Sequence, residues 1–525
     1  MTLDAEPSVP TALPGTMSPV DRSPLPTVEP SSEADVREAV RRAREAQSSW
    51  AARPLRERES AIDALAIRLL EGSAEVQALI EQELGRPRAL SVVVEICAAR
   101  DYVKQVVRAG RSALAPERIK LSKLDWPGKS AIVEAVPRGV IAIIAPWNYP
   151  LANYYKHFFP AVLAGNAVVL KPSEHTPRTG AWFAKQCEAV FPKDVVQIVQ
   201  GRGDIGAALI DAGVDAVTFT GSVRTGRKVA AHAGERLIPC SVELGGKDAA
   251  IVLADCDLDR TAIGVVTWAM QNAGQDCSSI ERVYVEEAIA DAFAARVTAI
   301  AKKLRVSTGE GLAEVGPLQN EAQLRIVESH VDEAKQKGAT VLAGGKRTGK
   351  GLGFEPTVLD RCTHSMLVVT DETFGPVLPI IRVRDAEHAI EMANDCQYGL
   401  NASVWTRDIA RGSDLARRLQ AGVVYVNNHS IAGSMPEIPW TGVKQTGPGV
   451  AASRHAYHTF VRRRTLFVDT NTKPDPIWFP ADENIAAFGD AIVARGLHGG
   501  LGVMLKLLGL LGKRVKAVQA LARGT

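Results

Sequence analysis

The sequence predicts an α/β fold built on parallel, doubly wound sheets. From Ile132 onward, short apolar runs alternate with helical stretches and are separated by Gly/Pro turns. A second cycle of the same texture follows Cys277. Alternation of this kind covers both faces of a parallel sheet with helices. The 525 residues, 46% hydrophobic and 23% charged, are ample for large buried cores in several domains.

Each element follows from its local pattern. Seven of the 29 prolines lie within residues 1–30, a stretch with no basic start and no apolar core. It reads as a disordered lead-in and not as a secretory signal. Residues 33–114 read as helical, because Ala34–Ala51 and Glu57–Leu70 carry apolar residues at three- and four-residue spacings. The runs Val140–Ala145, Ala167–Leu170, Val195–Val199, Ala216–Phe219 and Ala249–Leu253 read as buried strands. Helices such as Arg178–Val190 and Gly226–Ala233 lie between them. The second cycle comprises Arg282–Val285, Ile289–Leu304, Leu324–Lys337, Thr340–Leu342, Pro379–Val383, Ala386–Asn394 and Gly422–Asn427. A polar, Pro-containing linker, residues 470–490, follows Asp469 and opens with Thr470–Glu483. A basic tail, residues 491–525, ends the chain.

Charge separates that tail from the rest. Lys and Arg number 62 against 59 Asp and Glu, a net +3. Residues 491–525 hold six Lys/Arg and no acid, so the remainder is slightly acidic. A balance this close to neutral excludes a dedicated nucleic-acid binder. In the tail, Met504, Leu508, Leu511, Val515, Val518 and Ala522 share one helical face, with Lys506 and Lys513 opposite. That suits an interfacial helix on an anionic membrane surface. A helix packed on a partner subunit, or a frayed tail, gives the same spacing, and Gly502, Gly509 and Gly512 weaken any helix. No run of 18 uncharged apolar residues exists, so a spanning helix is not expected. The seven scattered cysteines form no zinc or redox spacing. They point to a reducing, cytoplasmic compartment, with most of them buried and no metal site.

One literal dinucleotide fingerprint, Gly201-Arg202-Gly203-Asp204-Ile205-Gly206, follows a strand and precedes a helix. The acid expected about 20 residues on is missing, since the next strand ends in Thr220-Gly221-Ser222. That second turn, with Gly226, could also face a pyrophosphate through its backbone N–H groups. More specific is an ordered set of segments: Ala145-Pro146-Trp147-Asn148-Tyr149-Pro150, Lys171-Pro172-Ser173-Glu174, Phe219-Thr220-Gly221-Ser222, Glu243-Leu244-Gly245-Gly246-Lys247, Gly274-Gln275-Asp276-Cys277 and Glu372-Thr373-Phe374-Gly375-Pro376. In this order and spacing they resemble the NAD(P)-dependent aldehyde dehydrogenase superfamily, from about residue 33 to 469.

The residues themselves suit that chemistry. Cys277 follows a Gly-Gln-Asp turn and is expected to begin a helix, whose N-terminus would lower the thiol pKa. Asn148 lies just past a strand end, where its amide can reach a developing alkoxide. Glu243 precedes two glycines, and partial burial would raise its pKa and suit it to activate water. The resemblance implies that Cys277 attacks the aldehyde, Asn148 and the Cys277 N–H hold the oxyanion, and Glu243 drives hydrolysis of the thioester. It implies NAD contacts from Pro146, Trp147, Lys171, Ser173, Glu174, Gly201, Phe219, Thr220, Gly221, Ser222, Leu244, Glu372 and Phe374. Lys171 would bond the adenosine ribose, and Glu174 near its 2′ position would repel a 2′-phosphate and favour NAD over NADP. Glu372 would hold the nicotinamide ribose beside Phe374.

The implied fold has two doubly wound Rossmann-like domains and a small β oligomerisation arm. The NAD-binding domain would be 31–120 and 138–245, the catalytic domain 246–447, and the arm 121–137 with 459–469. The arm would assemble a homodimer or homotetramer. Tunnel positions by resemblance include Asn153, Lys156, Asp276, Ser278 and Trp440, without an Arg clamp for a carboxylate. Thr441, Thr446 and Val450 depart from the family's C-terminal pattern. The expected function is NAD-dependent oxidation of an aldehyde to its acid. Alternatives are a semialdehyde dehydrogenase of amino-acid or amine catabolism and, of another class, a catalytically silent scaffold. The intact Asn148, Glu243 and Cys277 speak against the last.

Overall fold

The computed structural model describes residues 17–123, 125–309 and 311–524. The chain forms two compact units. One runs to Ala115 and resumes over Ala135–Arg462; the other joins Pro116–Glu134 to Arg463–Thr525.

In the first unit the helix Glu33–Ala51 starts at a capping box. The Ser32 hydroxyl accepts from the Asp35 N–H at 3.2 Å, and the Asp35 carboxylate accepts from the Ser32 N–H at 2.8 Å. The helix buries Val36, Ala39, Val40 and Ala43 against a five-stranded parallel sheet. The strands, in spatial order, are Val196–Ile198, Ala167–Lys171, Val140–Ile144, Ala216–Gly221 and Cys240–Leu244. By sequence rank that order is 3-2-1-4-5, a doubly wound arrangement that reverses between Val140–Ile144 and Ala216–Gly221. Every residue of Val140–Ile144 is buried, as a strand covered on both faces must be.

A seven-stranded sheet completes this unit. Its order is Thr340–Ala343, Thr357–Asp360, Val377–Val383, Ile280–Glu286, Asp248–Val252, Asn401–Trp405 and Val423–Val426. All pairs are parallel except the first. The two doubly wound sheets expected from the sequence are therefore both present.

Three expectations change. The lead-in expected to be disordered through residue 30 lies outside the described residues over 1–16, but Ser18 and Pro19 are buried. Pro19 O accepts the Leu352 N–H at 2.8 Å, and a Cβ on Gly351 would sit 2.1 Å from Val20 O. Second, three of the seven free cysteines (Cys187, Cys256 and Cys362) are buried, not most of them. Third, the β arm begins before residue 121, because Glu117–Ile119 pairs antiparallel with Ala131–Val133.

That pairing belongs to the second unit. Its sheet runs Glu117–Ile119, Lys129–Pro137, Val461–Asp469. After Val461 the last strand is exposed throughout, including Leu466, Phe467 and Val468. The expected linker ends early, at Asp482, whose carboxylate accepts the Ile485 N–H at 3.0 Å and caps the helix Glu483–His498. The chain reverses at Gly499 and Gly500, both with positive φ, into the helix Leu501–Arg523. The buried face of this helix is Leu507, Leu510, Arg514 and Val518, rotated from the expected stripe. Arg514 sets the rotation: it donates to Pro476 O at 2.9 Å and to Asp482 Oδ1 at 2.7 Å. Met504, Leu508, Leu511 and Val515 instead line a cavity of about 600 Å³.

Candidate active site

Cys277 lies in a turn between the 3₁₀ segment Gln271–Gly274 and the strand Ile280–Glu286. It does not begin a helix, so no helix dipole lowers its pKa. Burial, with the negative charges of Glu243 and Asp276, pushes the thiol well above its usual range. The turn is tightly set. Asn272 and Ala273 have φ of 53° and 58°, left-handed conformations that cost roughly 1–3 kcal/mol each. A Cβ on Gly246 would sit 2.2 Å from Cys277 O, so the glycine after Gly245 lets the two segments touch.

The end of the strand Cys240–Leu244 brings Glu243 to the thiol. Cys277 Sγ lies 3.7 Å from Glu243 Oε1 and 3.8 Å from Asp276 Oδ1. Glu243 Oε1 also accepts from Trp440 Nε1 at 2.5 Å. Its Oε2 is buried without a protein partner, which leaves an acceptor for a water or a substrate hydroxyl. Cys277 and Trp440 line a pocket of about 260 Å³ with Tyr102, Tyr155, Trp268, Ile431, Lys156 and Asp276. The Lys156 ammonium sits 4.4 Å from the Trp440 ring centroid. No carboxylate among the described residues forms an ion pair with it.

Asn148 sits just past the strand Val140–Ile144, as expected. Its Nδ2 donates to Gln275 O at 3.2 Å, two residues before Cys277, and its Oδ1 accepts from Asn153 at 3.2 Å. The clamp behind it was not legible in the sequence. Arg86 forms a fully buried ion pair with Glu95 and donates to Asn148 O. Arg86 also donates to Asn272 Oδ1 at 2.9 Å, and Asn272 returns a bond to Asn148 O at 3.0 Å. Glu95 accepts the Leu151 and Ala152 N–H groups at 2.8 and 3.0 Å. The only hints are Gly85-Arg86-Pro87 between helices and a lone acid in Val92-Val93-Val94-Glu95-Ile96. Removing one partner of such a pair strands a buried charge. Arg86→Ala should therefore lower unfolding free energy by about 3–5 kcal/mol in a urea titration, whereas breaking the exposed Arg37–Glu33 pair should cost less than about 1 kcal/mol.

The expected dinucleotide residues gather at the carboxyl ends of the first sheet, on either side of its point of reversal. Pro146 and Trp147 extend one strand; Phe219, Thr220, Gly221 and Ser222 end or follow the other. Ser222 caps the helix Val223–Glu235 through the Thr225 N–H, at 3.3 Å. A Cβ on Gly226 would sit 2.2 Å from Leu244, so glycine is what brings this helix onto the sheet. Gly201 opens the turn into Gly203–Asp211, and its missing Cβ would strike Ile205 at 2.3 Å. Lys171 is buried, and burial pulls its ammonium below the usual lysine range, with Glu174 opposing. Its single hydrogen bond, to Pro172 O at 3.2 Å, leaves two donors free. Ser173 holds the following turn by accepting the His175 N–H at 3.3 Å, and Glu174 is half-buried beside it. This donor set fits a ribose and pyrophosphate.

The other rim comes from the second sheet. Glu372 Oε1 accepts the Gly246 N–H at 3.1 Å, and burial with repulsion from Glu281 pushes Glu372 up to about 8. Glu281 accepts the Thr373 and Phe374 N–H groups at 2.7 and 2.8 Å and pairs with buried Lys247 at 2.5 Å. Phe374, at φ 49°, meets the Trp147 ring edge-on, with centroids 5.6 Å apart. Among the described residues no cluster of three or more His, Cys, Asp or Glu is placed to hold a metal ion.

Fold and site together define an oxidoreductase served by a pyridine nucleotide. The sequence profile of the aldehyde dehydrogenase family matches residues 13–466, and the chain belongs to that family. A Mycobacterium ulcerans protein provisionally named succinate-semialdehyde dehydrogenase [NADP(+)] 2 is 40% identical over 433 residues, 81% of this chain and 83% of the relative. A 4,4'-diapolycopene aldehyde oxidase from a Methylomonas species is 34% identical over 482 residues, 91% of this chain and 90% of the relative. Among solved structures, NADP-dependent glyceraldehyde-3-phosphate dehydrogenase from Bacillus halodurans, complexed with NADP, superimposes with a TM-score of 0.79. It is 34% identical, covering 87% of this chain and 95% of that one.

Proposed function

We propose that the protein oxidises an aldehyde to its carboxylic acid, with NAD as the preferred acceptor and Cys277 as the nucleophile. The observation that carries this reading is the 3.7 Å contact between Cys277 Sγ and a Glu243 carboxylate held by Trp440. Glu243 Oε1 takes the thiol proton, and the thiolate adds to the carbonyl carbon. The Asn148 amide and the Cys277 N–H stabilise the oxyanion; one such donor is worth about 100–1,000-fold in rate. When bound, the dinucleotide supplies a hydride acceptor, held by Lys171, Glu372 and the turns at Gly201 and Ser222. Once the substrate is oxidised, Cys277 carries the acyl group as a thioester. Glu243, having passed the thiol proton to solvent, then draws a proton from water; the resulting hydroxide adds to the thioester, the thiolate of Cys277 leaves, and the acid is freed. The experiment is NADH formation with a panel of aldehydes graded by chain length and terminal charge. Equal rates for the wild type and Cys277→Ala with every aldehyde would sink the reading and favour a silent scaffold.

The preference for NAD rests on Glu174, half-buried at the end of the strand Ala167–Lys171. A carboxylate there accepts from a ribose 2′-OH and repels a 2′-phosphate. The relatives' names, which print NADP, argue the other way. Glu174→Gln should raise the ratio of kcat/KM for NADP to that for NAD by about tenfold, or roughly 1.4 kcal/mol. No change would remove Glu174 from cofactor choice.

One observation favours a semialdehyde. Lys156 is buried in the pocket that Cys277 lines and forms no ion pair with a carboxylate among the described residues, which leaves it for a carboxylate carried by the substrate. Lys156→Met should raise KM at least tenfold for an ω-carboxylated aldehyde and leave a neutral aldehyde of equal length within about twofold. We also propose a homo-oligomer, its arm the exposed strand Val461–Asp469 with Lys129–Pro137, working in a reducing, cytoplasmic compartment with all seven cysteines unpaired.

A further inference from the structure

The second unit carries an apolar face that its own folding leaves uncovered. Arg514, fully buried among Pro476 O, Trp478 O and Asp482, fixes the rotation of the helix Leu501–Arg523. With Leu507, Leu510 and Val518 turned inward, the 100° step of an α-helix sends Leu501, Leu505 and Leu508 outward. These three are 78, 61 and 60% exposed. Val493 and Leu497 of the preceding helix are 61 and 71% exposed. An apolar side chain left in water alone needs no explanation, but a run of leucines along one helix does.

The helix Leu501–Arg523 carries charges of one sign, whereas the preceding helix holds Glu483 and, three residues before Val493, the exposed Asp490. Lys506, Lys513, Lys516 and Arg523 are exposed, and the helix that carries them holds no acid. At 100° per residue Lys516 and Arg523 continue the line of Leu505 toward the C-terminus, while Lys506 and Lys513 lie about 80–100° round the helix from Leu505 and farther from Leu501 and Leu508. A two-fold contact confined to this helix and its own copy would set cations against cations, since the helix itself holds no acid. An anionic surface meets the same face with complementary charge. No helix among the described residues is long and apolar enough to cross a membrane. The geometry points to a helix that lies on the bilayer. We propose that Leu501, Leu505 and Leu508 enter the headgroup region of an anionic membrane, with Lys506, Lys513, Lys516 and Arg523 on its phosphates.

Flotation of the full chain with lipid vesicles tests this without reference to catalysis. The protein should float with vesicles of phosphatidylcholine mixed with phosphatidylglycerol and stay behind with phosphatidylcholine alone. High salt should weaken binding about tenfold. The triple variant Leu501→Ser, Leu505→Ser, Leu508→Ser should lose at least tenfold in binding with its melting temperature kept, since none of the three is buried. Lys513→Glu with Lys516→Glu, both at exposed positions, should lose about tenfold or more by charge alone. Absence of flotation with the mixed vesicles overturns the proposal. So does full retention in either variant. A smaller assembly in gel filtration of the leucine variant also overturns it, by assigning the face to a second copy.

Discussion

Cys277→Ala should cut steady-state NADH formation by at least about a thousandfold with any aldehyde the enzyme accepts, because it removes the group proposed to bond to the substrate. Dinucleotide binding, followed by fluorescence or calorimetry, should persist, since Lys171, Glu174 and Glu372 do not touch the sulfur. The pH profile carries a second signature. Burial and the charges of Glu243 and Asp276 raise the thiol pKa, so the anion is disfavoured in the resting protein. A raised pKa means that the thiolate fraction grows as pH rises through neutrality and beyond. Alkylation of Cys277 by iodoacetamide should accelerate over that range with no plateau near pH 7. A plateau there would show a thiol of lowered pKa and would contradict the turn geometry.

Glu243→Gln should lower turnover by about 100–10,000-fold, the span typical of a lost general base. Glutamine can still accept from Trp440 Nε1, so the indole should keep its place. The negative charge beside the sulfur is gone, however, and Glu243 is the first charged group raising the thiol pKa. Alkylation of Cys277 in this variant should shift to lower pH while aldehyde turnover falls. The two readouts move in opposite directions, which misfolding would not produce. A burst of about one NADH per active site, then arrest, would place the main loss at thioester hydrolysis. Turnover at the wild-type rate would take Glu243 out of the mechanism.

The strands were legible because each is a short apolar run bounded by turn residues, as in Val140–Ala145 before Pro146. Glu243 and Cys277 could be singled out because they stand in distinctive glycine-containing segments, and the fold brings them to 3.7 Å of each other. What could not be read were relations between distant residues. Arg86 and Glu95 meet Asn148 only after the helical region folds onto the first sheet, and neither carries a local signature. The Cys277 turn was misread as a helix start because Asn272 and Ala273 take left-handed conformations that ordinary propensity does not anticipate. In the tail, a 3.6-residue period located a helix but not its inward side. Buried Arg514, bound to three acceptors, rotated the helix away from its most regular apolar stripe.

The strap formed by residues 17–30 has a practical bearing on how the protein is prepared. Val20 reaches Gly85, one residue before Arg86, and its carbonyl fills the space left by Gly351. Through Pro19 it also bonds Leu352. It thus clips the helical region that orients Asn148 to a loop of the second sheet. Protease trimming up to the capped helix at Ser32 would discard this clip while leaving every catalytic side chain in the chain. Material shortened in that way would keep its sequence motifs and lose part of the support behind Asn148.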